Sequence, residues 1–482
     1  MLRSTRIALA AGAAVAALGG AGGVAYAHAF GQRYDLPLPL GLYLAGAAAV
    51  VIATFLLLAR FRVGAPGDVN RLSRPRLRGA IPVLALLPLR AFGACGLALI
   101  VAAGFFGNQN PFKNFAPTAV WVVWWVGTAY LSAFIGNVWP LLNPWTAAVD
   151  ALRALKRHRV EPRPGLLRYP QWLGIWPAVA LFLLFAWAEL VWEGRDVPHN
   201  VAAGAALYSI LTWLGFWVFG RDAWLRGGEA FSVFFAMLGR FAPLRLERAD
   251  GRWLWTLRPY AVGLLTLRPL HVSEMVFVLT MLATVTTDGF LETPLWAKAV
   301  EYLLRPENRA EIPEYQGYFA IATVAVCAAP ALFSTVYLGV AGLMAWTAAP
   351  MGAAEIACLF VLSLVPIAIA YHLAHYLSFL LLAGQFIVPL VGDPFGWGWD
   401  LFGTALYRID IGIVDTRSIW YTALIAIVVG HVLAVWLAHE TAFAVLPDAG
   451  AARRGQYPMI VLMVAYTALS LWILAQPIVE PK

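Results

Sequence analysis

The sequence predicts an all-α polytopic membrane protein, with about ten transmembrane helices after an N-terminal signal sequence. Of the 482 residues, 61% are hydrophobic and only 12% are charged, whereas about a quarter of the residues in a typical soluble protein are charged. Apolar runs of 18 or more residues recur along the chain, and a run of that length can cross a bilayer as a helix. Basic residues are concentrated in alternate loops, as the positive-inside rule requires of a multi-pass protein.

The first 27 residues predict a signal peptide. Two arginines lie within the first six residues, a small-residue apolar stretch covers 7–24, and Ala25-x-Ala27 is a typical cleavage pattern. If the segment is not cleaved, it acts as an anchor and leaves the order of the later spans unchanged. Residues 28–482 are predicted to form a single helical transmembrane domain.

Ten apolar segments are predicted to span the membrane. Their approximate bounds are 38–59, 85–106, 118–137, 173–192, 200–219, 272–291, 317–346, 356–391, 419–440 and 457–476. The loops after the first, third, fifth and ninth spans hold 22 of the 34 lysines and arginines, and alternating insertion puts all four on one side. That side is predicted to be cytoplasmic, so the mature N-terminus and the C-terminus are predicted to lie outside.

Two cytoplasmic segments, 145–159 and 223–240, mix aromatic residues, aliphatic residues and arginines at helical spacing. They predict amphipathic helices in the membrane interface. Because the net charge of +8 is explained by the basic loops, the predicted partner is the lipid bilayer and not a nucleic acid. The sequence contains no P-loop, G-x-S-x-G, H-E-x-x-H or dinucleotide-binding motif, so any enzyme here would act from a site within the membrane.

His28 would become the first residue if the signal peptide were cleaved after Ala27. Its amine and imidazole would then form a bidentate chelate that suits copper or another borderline metal. If cleavage occurs elsewhere, or not at all, His28 is a surface histidine without that chelate.

The eighth predicted span carries the clearest polar stripe of the chain. The stripe consists of Tyr371, His372, His375, Ser378 and Gln385, which follow helical spacing. His372 and His375 are three residues apart, so both imidazoles can reach one ligand. Pro366 is predicted to kink the span one turn earlier, which frees backbone carbonyls and opens a polar pocket.

Residues of two other spans are predicted to lie at a similar depth. Thr287 and Asp288 lie near the outer end of the sixth span, and His431 lies near the middle of the ninth. The predicted metal ligands are His28, His372, His375 and His431, with Asp288 as a ligand or a catalytic general base. These donors suit a divalent metal such as Zn or Cu. Tyr371, Ser378, Gln385, Thr287 and the outer-loop residues Trp397 and Trp399 are predicted to line a substrate pocket.

Other roles for these polar residues stay open from sequence alone. The histidines can hydrogen-bond across helices and hold the bundle together, or they can bind haem or relay protons. Asp288 can also be an end-of-span residue in contact with water.

Three segments resemble a family of bacterial inner-membrane proteins, the fenitrothion hydrolases, which hydrolyse organophosphorus triesters. The segments are 28–40 (HAFGQRYDLPLPL), 136–145 (GNVWPLLNPW) and 393–404 (DPFGWGWDLFGT). The resemblance covers most of the chain. It implies an inner-membrane location, a triester hydrolase activity and a possible second membrane subunit, but no family residues are carried over as catalytic.

The implied reaction is compatible with the predicted residues. A neutral, lipophilic triester would enter the bilayer, and a metal ion would lower the pKa of a bound water that attacks phosphorus and expels a nitrophenolate. His372 and His375 would hold the metal, and Asp288 would be a ligand or general base. The residues themselves also leave two alternative functions open. One is a copper-binding or redox membrane protein that uses His28, and the other is a transporter of a small solute or ion.

Overall fold

The computed structural model describes residues 39–60, 77–155, 165–249, 252–306, 313–348 and 351–476. The predicted signal peptide, 1–27, and the predicted metal ligand His28 lie outside these residues. The described chain is almost entirely helical, with one small sheet, so the predicted all-α architecture is confirmed.

The helices and strands are numbered here in chain order. The helices are α1 (Leu40–Arg60), α2 (Val83–Phe106), α3 (115–134), α4 (Trp139–Leu142), α5 (Pro144–Leu155), α6 (Trp176–Leu190), α7 (Pro198–Phe219), α8 (Arg221–Gly227), α9 (Ala230–Gly239), α10 (Val272–Leu291), α11 (Pro294–Leu303), α12 (Glu314–Ala348), α13 (Ala353–Phe360), α14 (Val365–Ala383), α15 (Ile387–Gly392), α16 (Thr416–Val445) and α17 (Ala449–Leu474). The strands are β1 (Leu77–Ile81), β2 (Leu244–Ala249) and β3 (Arg252–Leu257).

Nine helical segments in the described part of the chain are long and apolar enough to cross a membrane. They are Leu40–Leu58, Leu86–Phe106, Gln171–Leu190, Pro198–Phe219, Val272–Leu291, Glu314–Thr347, Ala353–Gly392, Thr416–Val445 and Ala449–Leu474. The remaining predicted span, 118–137, corresponds to α3, whose middle ten residues, Thr118–Gly127, form a π-helix. The chain is therefore a multi-pass membrane protein by the length and composition of its helices.

A three-stranded antiparallel sheet, which the sequence did not predict, joins two of the basic loops. Strand β3 lies between β1 and β2, with Leu77 opposite Leu257 in one pair and Leu244 opposite Leu257 in the other. β1 follows the first span, whereas β2 and β3 follow the fifth. The contact between these loops agrees with their predicted location on one side of the membrane.

Two predicted outer loops meet at the opposite end of the bundle. The amide of Asn108 donates to the carbonyl of Phe395 at 2.7 Å, and the amide of Phe115 donates to the carbonyl of Pro394 at 3.0 Å. Because these loops are predicted on the same side, their contact again agrees with the alternation of the spans.

The second of the two predicted interfacial segments differs from the expectation. The segment 145–159 does begin in α5, but 223–240 divides into α8 and α9, and nearly all of α9 is buried. Its sequence, AFSVFFAMLG, has no polar face that could lie in the headgroup region, so it packs inside the bundle. The Glu229 carboxylate accepts from two backbone amides at the first turn, and the Arg258 guanidinium donates to the carbonyls of Gly239 and Arg240 at the last turn.

The predicted irregularity near Pro366 is confirmed. A short 3-10 turn, Val361–Leu364, separates α13 from α14, and Pro366 lies in the first turn of α14. Helix α14 then packs closely on α16 at Gly430, where a Cβ would lie 2.5 Å from Ala370 Cβ and 2.8 Å from the Pro366 carbonyl oxygen. This close approach fixes α14, which carries the predicted histidines, within the bundle.

Candidate metal site

A buried cluster of two carboxylates and one imidazole lies between α10 and α14. Asp288 and Glu292 are four residues apart at the end of α10, so their side chains project from one face of the helix. His375 projects from α14, and its Nε2 lies 2.9 Å from Asp288 Oδ2. Ligand atoms of the three residues all lie within 4.8 Å of one another, so this group could hold a metal ion.

The donor chemistry fits a divalent ion. Two atoms that bind one Zn²⁺ at ~2.1 Å are at most ~4.2 Å apart, so only small side-chain rotations would bring the three donors to one centre. Oxygen and nitrogen donors suit Zn²⁺ and other borderline divalent ions, and three protein ligands leave a position for water or substrate. The side chains of His375 and Asp288 are only 7% and 9% exposed, and negative charge on carboxylates within a membrane-spanning bundle is costly. A divalent cation would balance their charge.

Tyr376 connects this cluster to a further, half-buried carboxylate. Its hydroxyl lies 2.6 Å from Asp288 Oδ2 and 3.3 Å from Glu189 Oε1 on α6. Trp125, in the π-helical part of α3, donates from Nε1 to Glu189 Oε1 at 2.7 Å. Four helices therefore contribute to one hydrogen-bonded network around Asp288, as outer-shell partners commonly do around metal ligands.

His372 packs against Tyr376 and is not part of the three-residue cluster. Its ring centroid is 4.7 Å from that of Tyr376 and 5.7 Å from those of Trp125 and Tyr130. Its Nε2 has no hydrogen-bond partner among the described residues. His372 and Glu189 line a cavity of about 20 Å³, which has room for a single water molecule. The two histidines of the stripe thus share Tyr376 as a neighbour, but only His375 lies within ion-pair distance of Asp288.

Of the other predicted pocket residues, Tyr371 and Thr287 are buried near the cluster, and Ser378 is half-buried on α14. The Tyr371 hydroxyl is buried without a hydrogen-bond partner among the described residues. A Cβ placed on Gly289 would lie 2.9 Å from this hydroxyl and 3.7 Å from His375 Nδ1, so both groups face the backbone next to Asp288.

The remaining predicted residues lie elsewhere. His431 Nδ1 lies 2.8 Å from the carbonyl oxygen of Ile427 on its own helix. Gln385 hydrogen-bonds to both backbone groups of Asp410, so it anchors an outer loop, and it also lines an apolar groove between α3 and the α14–α15 segment.

Trp397 and Trp399 lie in the outer loop between α15 and α16. Their rings pack on each other, with centroids 5.1 Å apart, and both also pack on Phe395. More than 40% of each tryptophan is exposed. These contacts make the two tryptophans part of an aromatic cluster on the loop surface.

Four residues of the cluster and its network were not singled out from the sequence, namely Glu292, Glu189, Tyr376 and Trp125. Glu292 follows Asp288 by four residues, a spacing that could have paired them. Glu189 is an acidic residue inside the predicted span 173–192, and the cost of placing an acidic group in a membrane could have identified it as a candidate. Tyr376 carried no signal of its own, because its role depends on where α6 and α10 pack.

No protein-family model matches the chain, and neither a curated protein nor a solved structure is significantly similar to it.

Proposed function

We propose that this chain is a membrane-embedded, divalent-metal-dependent hydrolase of lipophilic organophosphorus triesters in the bacterial inner membrane. The observation that carries the proposal is the buried group of Asp288, Glu292 and His375, with ligand atoms within 4.8 Å of one another. The substrate class comes from the resemblance of three sequence segments to the fenitrothion hydrolases.

Asp288, Glu292 and His375 would hold the metal. When bound, a divalent metal lowers the pKa of a bound water and polarises a phosphoryl oxygen. Asp288 accepts a hydrogen bond from Tyr376 on one carboxylate oxygen, which keeps the carboxylate in a fixed orientation for accepting a proton or binding the metal. The Tyr371 hydroxyl is the nearby donor for a substrate oxygen, because it is buried with no other acceptor among the described residues.

An apolar groove supports entry of the substrate from the bilayer. The groove has a volume of about 700 Å³ and lies between α3 and the α14–α15 segment, within the size range of sites for drug-sized ligands. Tyr130 lines the groove and donates its hydroxyl proton toward the backbone carbonyls of His372 and Leu373. Tyr130 therefore stands between the groove and the polar interior, and a neutral triester dissolved in the membrane could approach without crossing water.

The test is hydrolysis of fenitrothion by the purified chain in lipid nanodiscs, followed as nitrophenol release. We expect turnover in the presence of a divalent metal, loss of turnover to background in Asp288→Asn, and full turnover in Asp222→Asn. Asp222 is the matched control because it is exposed on α8, a helix that contributes no residue to the cluster. Absence of turnover in the metal-loaded wild-type chain would overturn the hydrolase function.

Metal identity separates this proposal from the redox alternative. Stoichiometric copper that is lost in His28→Ala would favour a redox function with an N-terminal histidine ligand. A metal that is retained in His28→Ala and lost in His375→Gln would favour the site between α10 and α14.

A further inference from the structure

Two glutamates of this chain lie beside a tyrosine hydroxyl, and the first, Glu229, is fully buried among partners that suit a carboxylate. The Tyr208 hydroxyl lies 2.6 Å from Glu229 Oε1 and donates its proton there, while its oxygen accepts from the Ala230 amide at 3.1 Å. The amides of Phe231 and Ser232 also donate to Glu229. Every one of these partners offers a proton, so the hydrogen bonds around Glu229 are complete when it is a carboxylate.

At the second glutamate, Glu189, a competing carboxylate takes the tyrosine proton. The Tyr376 hydroxyl is 2.6 Å from Asp288 Oδ2 but 3.3 Å from Glu189 Oε1. A hydroxyl has one proton to donate, and the shorter contact is the stronger hydrogen bond. With that proton directed at Asp288, the Tyr376 oxygen and an ionised Glu189 would face each other as two acceptors. A proton on Glu189 removes the conflict.

Besides Tyr376, the described donor to the Glu189 carboxyl group is Trp125 Nε1 at 2.7 Å. The titratable groups near Glu189 are Asp288 on α10, His372, His375 and Tyr376 on α14, and Arg195 after α6. Arg195 donates from Nη1 to the backbone carbonyl of Glu189, and no ion pair joins the Glu189 carboxyl group to a described residue. Glu189 is half-buried, and the adjacent cavity of about 20 Å³ holds at most one water.

We propose that Glu189 is a neutral carboxylic acid inside the helix bundle, and that its proton directs the Tyr376 hydroxyl at Asp288. The Glu189 hydroxyl donates to the Tyr376 oxygen, and Tyr376 in turn donates to Asp288 Oδ2. Glu189 is thus a positioning residue that acts through Tyr376 on one carboxylate of the metal site. This positioning role rests on the proposed function, whereas the protonated state of Glu189 does not.

Infrared difference spectroscopy of the chain in nanodiscs tests the proton directly. A protonated carboxylic acid has a carbonyl stretching band that a carboxylate lacks, and the band moves to lower frequency in ²H₂O. We expect such a band at neutral pH in the wild-type chain, its loss in Glu189→Gln, and its persistence in Glu229→Gln. A spectrum without the band, or a band that persists in Glu189→Gln, would overturn the proposal.

Metal affinity tests the positioning role. Trp125 and Tyr376 both contact Glu189 Oε1. A glutamine NH₂ group at that place keeps the donor to Tyr376 but not the acceptor for Trp125, whereas leucine keeps neither. We expect Glu189→Leu to weaken metal binding about tenfold, as loss of outer-shell partners does, and Glu189→Gln to restore most of that affinity. Equal losses in the two variants would contradict positioning by a neutral acid. If the wild-type chain binds no metal, the proposed function fails, and the infrared band still decides whether Glu189 is protonated.

Discussion

Replacement of Gly430 by alanine tests the packing that holds the site together. Gly430 lies on α16 against α14, and the new Cβ would be 2.5 Å from Ala370 Cβ and 2.8 Å from the Pro366 carbonyl oxygen. Neither atom can rotate away, because one belongs to the backbone and the other is attached directly to it. Carbon atoms pack at about 3.5–4.0 Å, so α14 and α16 must separate by about 1 Å.

The expected cost follows from this overlap. Overpacking of this kind costs about 1–3 kcal/mol, whereas alanine in a helix gains up to ~1 kcal/mol over glycine. We therefore expect Gly430→Ala to lower the free energy of unfolding by about 1–2 kcal/mol, since both overlaps are with atoms that cannot move independently. Because α14 carries His375, the same shift should also weaken metal binding.

The assay is thermal unfolding in detergent, followed by tryptophan fluorescence, together with metal titration. Gly339→Ala on α12 is the matched control, because a Cβ there meets no atom within 4 Å. We expect a melting temperature several degrees below wild type for Gly430→Ala, and one equal to or above wild type for Gly339→Ala. If both variants melt alike and bind metal alike, the close approach of α14 and α16 does not position the site.

Three further predictions concern charged side chains, two at helix ends and one that joins three helices. Arg258→Met removes the guanidinium that caps α9, and we expect the free energy of unfolding in denaturant titrations to fall by about 1–3 kcal/mol; an unchanged midpoint would exclude the cap. Asp150→Ala leaves Arg90 and Arg221, now 2.5 and 2.6 Å from Asp150, without their shared carboxylate, so the variant should melt below wild type, whereas Asp150→Asn should lose less. Two backbone amides at the start of α17 lower the pKa of Asp448, so its stabilisation is present above the ordinary aspartate pKa of about 3.9 and is lost as the pH falls through the lower folded value. The melting temperatures of wild type and Asp448→Ala should accordingly differ at neutral pH and converge in acid, and a constant difference would contradict this linkage.

Much of the architecture was predictable because a membrane span depends on the composition of a short, contiguous stretch of sequence. The apolar runs, the alternation of basic loops and the break before Pro366 all depend on residues close in sequence. Helix α9 was misjudged as interfacial because arginines flank an apolar segment that is itself buried. The β1–β3 sheet was missed because its strands come from loops more than 150 residues apart.

The candidate site was predictable only in part for the same reason. Asp288 and His375 could be found from the cost of polar groups inside a membrane. Their pairing, and the separation of His372 from them, depend on the rotation of α14 against α10. The contribution of Tyr376 depends on the position of Glu189 on a third helix, and local sequence patterns do not predict that position.

The metal content of the purified chain tests the central claim most directly. We predict about one divalent metal ion per wild-type chain by elemental analysis, loss of the ion in His375→Gln, and its retention in His431→Gln, where the histidine bonds to its own helix. A wild-type chain without stoichiometric metal, or an ion that survives His375→Gln and is lost in His431→Gln, would contradict a metal site at Asp288, Glu292 and His375.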